Sequence, residues 1–93
     1  MDIITAEEAT EFSRKANEIY ENNVINEFII KINNLIQKTA EGGSWGFTYN
    51  LSDIEYAFNR KILALLRCNG YDAKISSTKT EHPLYISWKE YGR

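Results

Sequence analysis

The residues best suited to catalysis are one histidine and one cysteine. His82 stands in a polar segment before Pro83, and Glu81 is its nearest acidic neighbour in the sequence. Acid–base catalysis needs several positioned groups, so the sequence favours a surface loop histidine over a catalytic one. Cys68 falls in the last turn of a predicted helix, where we expect a buried small residue rather than a nucleophile. A single cysteine and a single histidine also leave no ligand set for structural zinc.

Two further patterns give no support to catalysis. The glycine-rich segment 42–46 precedes a predicted strand and lacks the lysine of a phosphate-binding loop, so we expect a helix stop and a turn there. Five glutamates have the spacing of a solvated helix face, and some of them also cap the helix: Glu7, Glu8, Glu11, Glu18 and Glu21. No two of them are set among apolar neighbours as a catalytic pair would be. The sequence predicts no catalytic residue, no metal site and no cofactor.

The aromatic second half of the chain offers binding chemistry instead. Large and small residues alternate at strand period in 45–49 and 84–88, and we expect Phe47, Ile75 and Ile86 to join the core. Tyrosine and tryptophan left partly exposed beside cations would stack on planar rings while attracting phosphate, and the same composition is typical of a protein interface. The candidate ligand- or partner-binding residues are Trp45, Tyr49, Arg60, Arg67, Lys74, Tyr85, Trp88 and Lys89. Tyr91 is a further aromatic that either joins the core or shares this surface.

The charge distribution limits the possible partners. The net charge is -2, with eight acidic and four basic residues in 1–43 and five acidic and seven basic residues in 44–93. Any anion-binding surface therefore belongs to the second half, although the bias is small and a solvated surface of mixed charge is the favoured explanation. The third predicted helix, which lies between a capping box at 52–55 and the Asn-Gly pair at 69–70, offers three cations. These are Arg60, Lys61 and Arg67, and they are too few for strong phosphate anchoring. We do not expect sequence-specific binding of duplex nucleic acid.

Two apolar stripes occupy the N-terminal segment. A capping box at residues 5–8 predicts a helix from Ala6 to about Tyr20, with the stripe Ala9, Phe12, Ala16 and Ile19. The second and stronger stripe consists of Ile25, Phe28, Ile29, Ile32, Leu35 and Ile36, and the glycines 42–43 end it. In one unbroken helix the two stripes would lie on roughly opposite faces. Either the chain turns or kinks sharply at residues 22–23, which we favour, or one long helix buries one face in its own domain and the other in a second subunit.

The second half predicts the order strand, helix, strand, strand. The first strand covers 45–49, and a capping box at 52–55 opens a helix that the Asn-Gly pair at 69–70 closes. The predicted buried face of that helix is Ile54, Ala57, Phe58, Ile62, Leu65 and Leu66. Strands at 71–76 and 84–88 follow, the last being the most apolar and so the central one. We predict an α+β fold with a three-stranded, mainly antiparallel sheet of order 1-3-2, with helices on one face and the other face partly open.

The length of 93 residues indicates a single domain, 1–93, made of a helical segment 1–43 and a β-α-β-β unit 44–93. The core of so small a domain is modest, and extra burial by self-association would help, so we expect a homo-oligomer. The N-terminus lacks the features of a signal peptide, and no apolar stretch approaches the roughly 20 residues of a membrane span. We therefore expect a cytoplasmic protein with no membrane partner.

The chain resembles small accessory proteins encoded by tailed bacteriophages. The motifs that carry the resemblance are, in order, Ile4-Thr5-Ala6-Glu7-Glu8-Ala9, Ala40-Glu41-Gly42-Gly43, Leu65-Leu66, Asn69-Gly70-Tyr71 and Ile86-Ser87-Trp88. They are structural motifs, so the resemblance implies a phage origin, a small α+β fold and no active-site residues. Phage accessory proteins of this size commonly act stoichiometrically, by occupying a host protein or trapping a signal nucleotide.

The function that these features favour is a non-enzymatic counter-defence protein. We expect it to act in the host cytoplasm, where it sequesters a host signal nucleotide or inhibits a host protein. One alternative is a virion or assembly component that works through protein–protein contacts. A second alternative is a weak nucleic-acid-binding protein.

Overall fold

A 36-residue helix precedes a small three-stranded sheet in this protein. The structure is a computed structural model that describes residues 3–89. Its elements, in chain order, are α1 (Ala6–Glu41), β1 (Gly46–Asn50), α2 (Asp53–Tyr56), α3 (Asn59–Cys68), β2 (Asp72–Ile75) and β3 (Pro83–Ser87). The predicted α+β class is confirmed.

The sheet has the order β1-β3-β2, and both outer strands are antiparallel to β3. This confirms the predicted topology. Phe47 and Ala73 flank Ile86 across the sheet, and Tyr49 and Ile75 flank Leu84. Because successive residues of a strand point to opposite faces, these rows share the face that meets the helices. The most apolar strand lies at the centre, where both of its edges are paired.

The core lies between this face of the sheet and the two longer helices. Its buried members come from α1, the loop before α2, α3 and the sheet: Phe28, Ile32, Leu51, Ile62, Leu66, Ala73, Leu84 and Ile86. Phe47 and Ile75 pack against this cluster and are partly buried. All three residues that the sequence assigned to the core, including Ile86, are therefore on the core side.

The helix α1 runs without a break through residues 22–23, so the predicted turn is wrong and the segment forms one long helix. It begins at Ala6 as expected, and the Thr5 hydroxyl accepts a hydrogen bond from the amide of Glu8 at 3.2 Å. The two asparagines are exposed, and asparagine in a helix is unfavourable by less than about 1 kcal/mol. Just before them, Tyr20 contacts Phe58, and Glu21 pairs with Lys61. These contacts hold the helix in line where the sequence alone suggests a turn.

The predicted third helix is divided into α2 and α3. The capping box is present, because the Glu55 amide donates to the Ser52 hydroxyl and the Ser52 amide donates to the Glu55 carboxylate. The chain leaves the helical path after Tyr56 and resumes it at Asn59, which changes the face that points inward. Ile54 and Ala57 are therefore exposed, contrary to the prediction, and Glu55 is buried in their place.

The end of α3 brings one further correction. Ile62 and Leu66 are buried as predicted, but Cys68 is exposed. Two residues past Leu66 correspond to roughly half a helical turn, which places the cysteine on the far side from the core. Gly70 then ends the helix with a φ of 91°, as expected for the residue after the cap. No helix within residues 3–89 combines the length and the apolar composition that a membrane span requires.

Candidate functional site

The face of the sheet that the helices do not cover is the most extensive candidate surface. Thr48, Tyr85 and Lys74 form one row across its three strands. Asp72 and Ser87 belong to the next row, and the residues of this face line a shallow depression of about 370 Å³. Tyr85 is 40% exposed, and it lies on the opposite side of β3 from Leu84 and Ile86. We call this surface the open face.

Glycine at position 46 is required beside the open face. A Cβ atom there would lie 2.7 Å from the carbonyl oxygen of Ile86 and 3.2 Å from the Cα of Ser87. Real Cβ atoms do not approach a carbonyl so closely, so any side chain would push β1 away from β3. The close approach of these two strands therefore depends on Gly46.

The two edges of the sheet differ. Arg67 closes the β2 edge, because its Nε and Nη2 atoms donate to the carbonyl oxygen of Ala73 at 3.2 and 2.8 Å. On β1, the hydrogen bond from Trp88 N to Trp45 O sets the alternation of the antiparallel ladder. That alternation points the backbone groups of Gly46, Thr48 and Asn50 away from β3. Among the side-chain, turn and loop hydrogen bonds within residues 3–89, none involves the amides of these three residues.

Trp45 and Trp88 lie together at the end of the sheet, where α1 stops. They line a depression of about 290 Å³ with Ala40, Gly43 and Ser44. Trp88 is partly buried and makes edge contacts with Phe47 and Tyr71, with ring centroids 6.3 and 6.1 Å apart. Trp45 is 51% exposed. Of this pair, Trp45 is therefore the more exposed to solvent, and it lies outside the open face.

Tyr49 belongs to the core side of the sheet and not to a binding surface. Its hydroxyl donates to both carboxylate oxygens of Glu55, at 3.1 and 3.2 Å. Burial, then the charge of Glu55 and this hydrogen bond raise the pKa of Tyr49 to about 12. The carboxylate also accepts from the amide of Ser52 at 3.0 Å and lies 3.9 Å from Lys31 Nζ. The phenol is thus fixed as a hydrogen-bond donor to a buried charge.

The remaining predicted residues are dispersed. Arg60 is exposed in the first turn of α3, and Lys89 is exposed just after β3. Arg67 is committed to the β2 edge, and Tyr91 lies outside the described residues. The structure therefore brings together two pairs from the predicted set, Lys74 with Tyr85 and Trp45 with Trp88.

A groove between α1 and α3 is a third concave region. It encloses about 260 Å³ and is lined by apolar side chains, two asparagines and Tyr71, with no charged side chain among them. The asparagines are Asn33 and Asn69. Without a cation, this groove does not suit a phosphorylated ligand.

His82 makes contacts that the sequence does not reveal. Its Nε2 atom lies 3.0 Å from Asp53 Oδ1, and its Nδ1 atom lies 3.3 Å from Ser77 Oγ. The ring stacks on Tyr56 at a centroid distance of 3.9 Å, and the His82 amide donates to the Asn50 side chain. The predicted loop position is correct, but the ring is largely covered. Contacts formed across 29 residues of sequence leave no local pattern.

The order Asp–His–Ser is that of a serine hydrolase triad, but its setting is different. The side chain of Asp53 is 95% exposed. Water screens this exposed carboxylate, whereas the aspartate of a catalytic triad is buried. The three groups instead tie the loop between β2 and β3 to the start of α2.

Within residues 3–89, no three histidine, cysteine, aspartate or glutamate side chains come together as a metal site would require. No protein-family model, curated protein or solved structure matches the chain.

Proposed function

We propose that this chain is a non-enzymatic binding protein that occupies a target protein stoichiometrically. The target contacts the open face and the outward edge of β1, which together we call the sheet surface. The observation that carries the proposal is the uncovered face with Tyr85 at its centre. A partly exposed aromatic residue surrounded by small and polar side chains is typical of an interface hot spot.

A protein target fits these features better than a nucleotide does. A nucleotide trap needs aromatic rings and several cations around one cavity. On the open face Lys74 shares the surface with Asp72, whose charge offsets it. Arg67 is held by the Ala73 carbonyl group, and Arg60 lies on another element. The sequence-based hypothesis of a nucleotide pocket therefore has less support than inhibition of a host protein.

The edge of β1 provides a specific mode of recognition. Outward backbone groups at alternate positions form a template on which an extended segment of the target can add a fourth strand. Main-chain hydrogen bonds would supply affinity, and the Tyr85 and Thr48 side chains would contribute contacts on the open face. The β2 edge is not equivalent, because Arg67 already occupies its carbonyl group.

The resemblance to phage accessory proteins suggests the biological setting. In that setting the protein acts in the cytoplasm of the bacterial host and blocks a component of a defence pathway. A stoichiometric inhibitor needs a complementary surface and no catalytic group, which agrees with the dispersed polar residues of this chain. The virion role and the nucleotide trap remain as outcomes that the following experiment would reveal.

The experiment is native mass spectrometry of the protein purified from host cells, with and without an induced defence response. We expect a host protein to be retained in a fixed ratio. Tyr85→Ala should abolish this retention, whereas Trp45→Ala, a matched loss of an exposed aromatic residue, should preserve it. Retention of a small phosphorylated ligand in place of a protein would contradict the proposal. So would finding the protein only in purified virus particles.

A second pair of variants tests the edge. Thr48→Pro removes an outward amide hydrogen that the native ladder does not use, whereas Thr48→Val keeps it. Circular dichroism checks that both variants fold. Binding that is lost in the proline variant and kept in the valine variant supports strand addition. Equal binding by the two variants would show that the target uses the open face without the edge.

A further inference from the structure

The first part of α1 projects from the rest of the molecule. Every residue from position 3 to position 19 is exposed, and the first attachments to another element are the contacts of Tyr20 and Glu21 with α3 or the residues just before it. The long dimension of the described chain is 65 Å, against 28 and 18 Å in the other directions. We call residues 3–19 the arm.

The arm carries apolar surface that no other element within residues 3–89 covers. Phe12 is 60% exposed and Ile19 is 62% exposed, and with Ala9 and Ala16 they form a stripe with spacings of three, four and three residues. This is the spacing of helices that pack side by side. A helix of about 15 residues is marginally stable in water without such packing. The arm therefore has the pattern of one half of a helix pair.

We propose that the arm pairs with the arm of a second copy of this chain, in antiparallel orientation. Glu8 and Lys15 are seven residues apart, so they lie on the same flank of the stripe. In an antiparallel pair, equivalent flanks of the two helices face each other. Glu8 of each copy then meets Lys15 of the other, and two-fold symmetry makes this pair twice. In a parallel pair, the flank that carries Glu8 and Lys15 would face the other flank of the partner helix. That other flank has no charged residue that could pair with Glu8 or Lys15.

The remaining charges of the arm are consistent with this arrangement. Arg14 donates to Glu11 at 2.8 Å within the same helix. Glu7 and Glu18 share the face of these two residues, opposite the stripe, and so stay in solvent. Glu8 and Lys15 flank the stripe, where a second helix would approach. Self-pairing thus joins opposite charges without burying like charges.

The same register also accounts for the apolar residues. When Glu8 lies opposite Lys15, Phe12 packs over the small Ala9 of the other copy. Ile19 then meets Ile3 and Ile4, which are both exposed in one copy. The paired length is about 24 Å. Two helices in contact over that length approach the roughly 1,000 Å² that a specific interface needs, so the dimer should be weak and concentration-dependent.

Sedimentation velocity of the full chain across a range of concentrations tests the pairing. We expect a monomer–dimer equilibrium that shifts at least tenfold toward monomer in the Phe12→Ser/Ile19→Ser variant. Both side chains are exposed in one copy, so the variant should keep its fold, which circular dichroism verifies. Ile30→Ser is the matched control, because Ile30 is 64% exposed on the same side of α1 but outside the paired length. The inference would be overturned if the unaltered chain were monomeric at every concentration. It would also be overturned if the Phe12→Ser/Ile19→Ser variant had the same monomer–dimer equilibrium as the unaltered chain.

Charge exchange tests the orientation and register. Glu8→Lys alone and Lys15→Glu alone should each weaken the dimer, and the double variant should restore it. Failure of the double variant to restore dimerisation would refute the antiparallel register. These measurements use the purified chain without any target, so they are independent of what the sheet surface binds.

Discussion

Replacement of Tyr49 by phenylalanine tests the buried carboxylate of α2. The tyrosine hydroxyl donates to Glu55, which is buried, and Tyr49→Phe removes that donor while leaving the ring in place. A hydrogen bond to a charged group contributes about 1.5–3 kcal/mol. A pKa displaced from 10.0 to about 12, chiefly by burial and then by Glu55, corresponds to roughly 3 kcal/mol between the two protonation states of Tyr49. Tyr49 is only partly buried, so solvent screening reduces this, and we expect a loss of about 1–2 kcal/mol.

The pH dependence of this loss follows from the direction of the shift. The folded state raises the pKa of Tyr49, so it holds the phenolic proton more tightly than the unfolded state. The contribution of Tyr49 is therefore fully present below pH 10.0, the unfolded value. It declines as the pH rises, with about half lost near pH 11, and it disappears once the folded group also ionises above pH 12.

Urea denaturation of both proteins at pH 8 and pH 11 measures this effect. Every other ionisable group is common to both proteins, so the difference in unfolding free energy isolates Tyr49. Tyr85→Phe is the control, since that tyrosine is exposed on the open face and should show no comparable change. A difference below about 0.5 kcal/mol at pH 8, or one that is the same at both pH values, would refute the role assigned to the Tyr49–Glu55 contact.

Three further substitutions test the backbone of the fold. Gly46→Ala should destabilise the protein by about 1–3 kcal/mol, because the new Cβ atom would clash with a carbonyl oxygen of β3. Chemical denaturation measures this loss. Gly42→Ala is the control and should destabilise the protein much less, since a Cβ atom there would make only ordinary contacts. Arg67→Met should uncover the β2 edge and increase concentration-dependent light scattering, and an unchanged signal would contradict its capping role. Alanine at both Asn22 and Asn23 should raise the melting temperature by a few degrees, because the positions are helical, whereas a turn there would make the change destabilising.

The parts of the fold that depend on local periodicity were predictable. The alternation of Leu84, Tyr85 and Ile86 indicates both the strand and its two faces, and its apolar character indicates the central position. The capping motifs at Thr5 and Ser52 mark the starts of α1 and α2 to the residue. Each of these signals lies within a few neighbouring residues, and the tertiary structure only reinforces it.

The features that sequence reasoning missed depend on contacts between distant segments. The residue types of Asn22 and Asn23 are compatible with either a turn or a helix. The contact of Tyr20 with Phe58 stabilises the helix. The sequence predicts Glu55 as part of a capping box, but its burial depends on the positions of α1 and β1, which bring Lys31 and Tyr49 next to it. The candidate binding residues were predicted from type alone. The residue type alone does not show that Arg67 donates to a carbonyl group of β2 or that Tyr49 faces the core.

Together, the two proposed surfaces determine how the protein would meet its target. The sheet lies near the C-terminal end of α1, and the arm lies at its N-terminal end. Antiparallel pairing of two arms therefore places the two sheet surfaces at opposite ends of the dimer. They would be separated by more than the roughly 54 Å length of α1, too far apart to enclose one small ligand.

Such a dimer would suit a target with repeated copies of one binding site, such as an oligomeric or filamentous protein. Attachment of one sheet surface raises the effective concentration of the second at a neighbouring site. The monomeric Phe12→Ser/Ile19→Ser variant should then bind an isolated target subunit as well as the unaltered chain does. It should bind the assembled target about a hundredfold less tightly. Equal affinity of the two proteins for the assembled target would show that the arm and the sheet surface act independently.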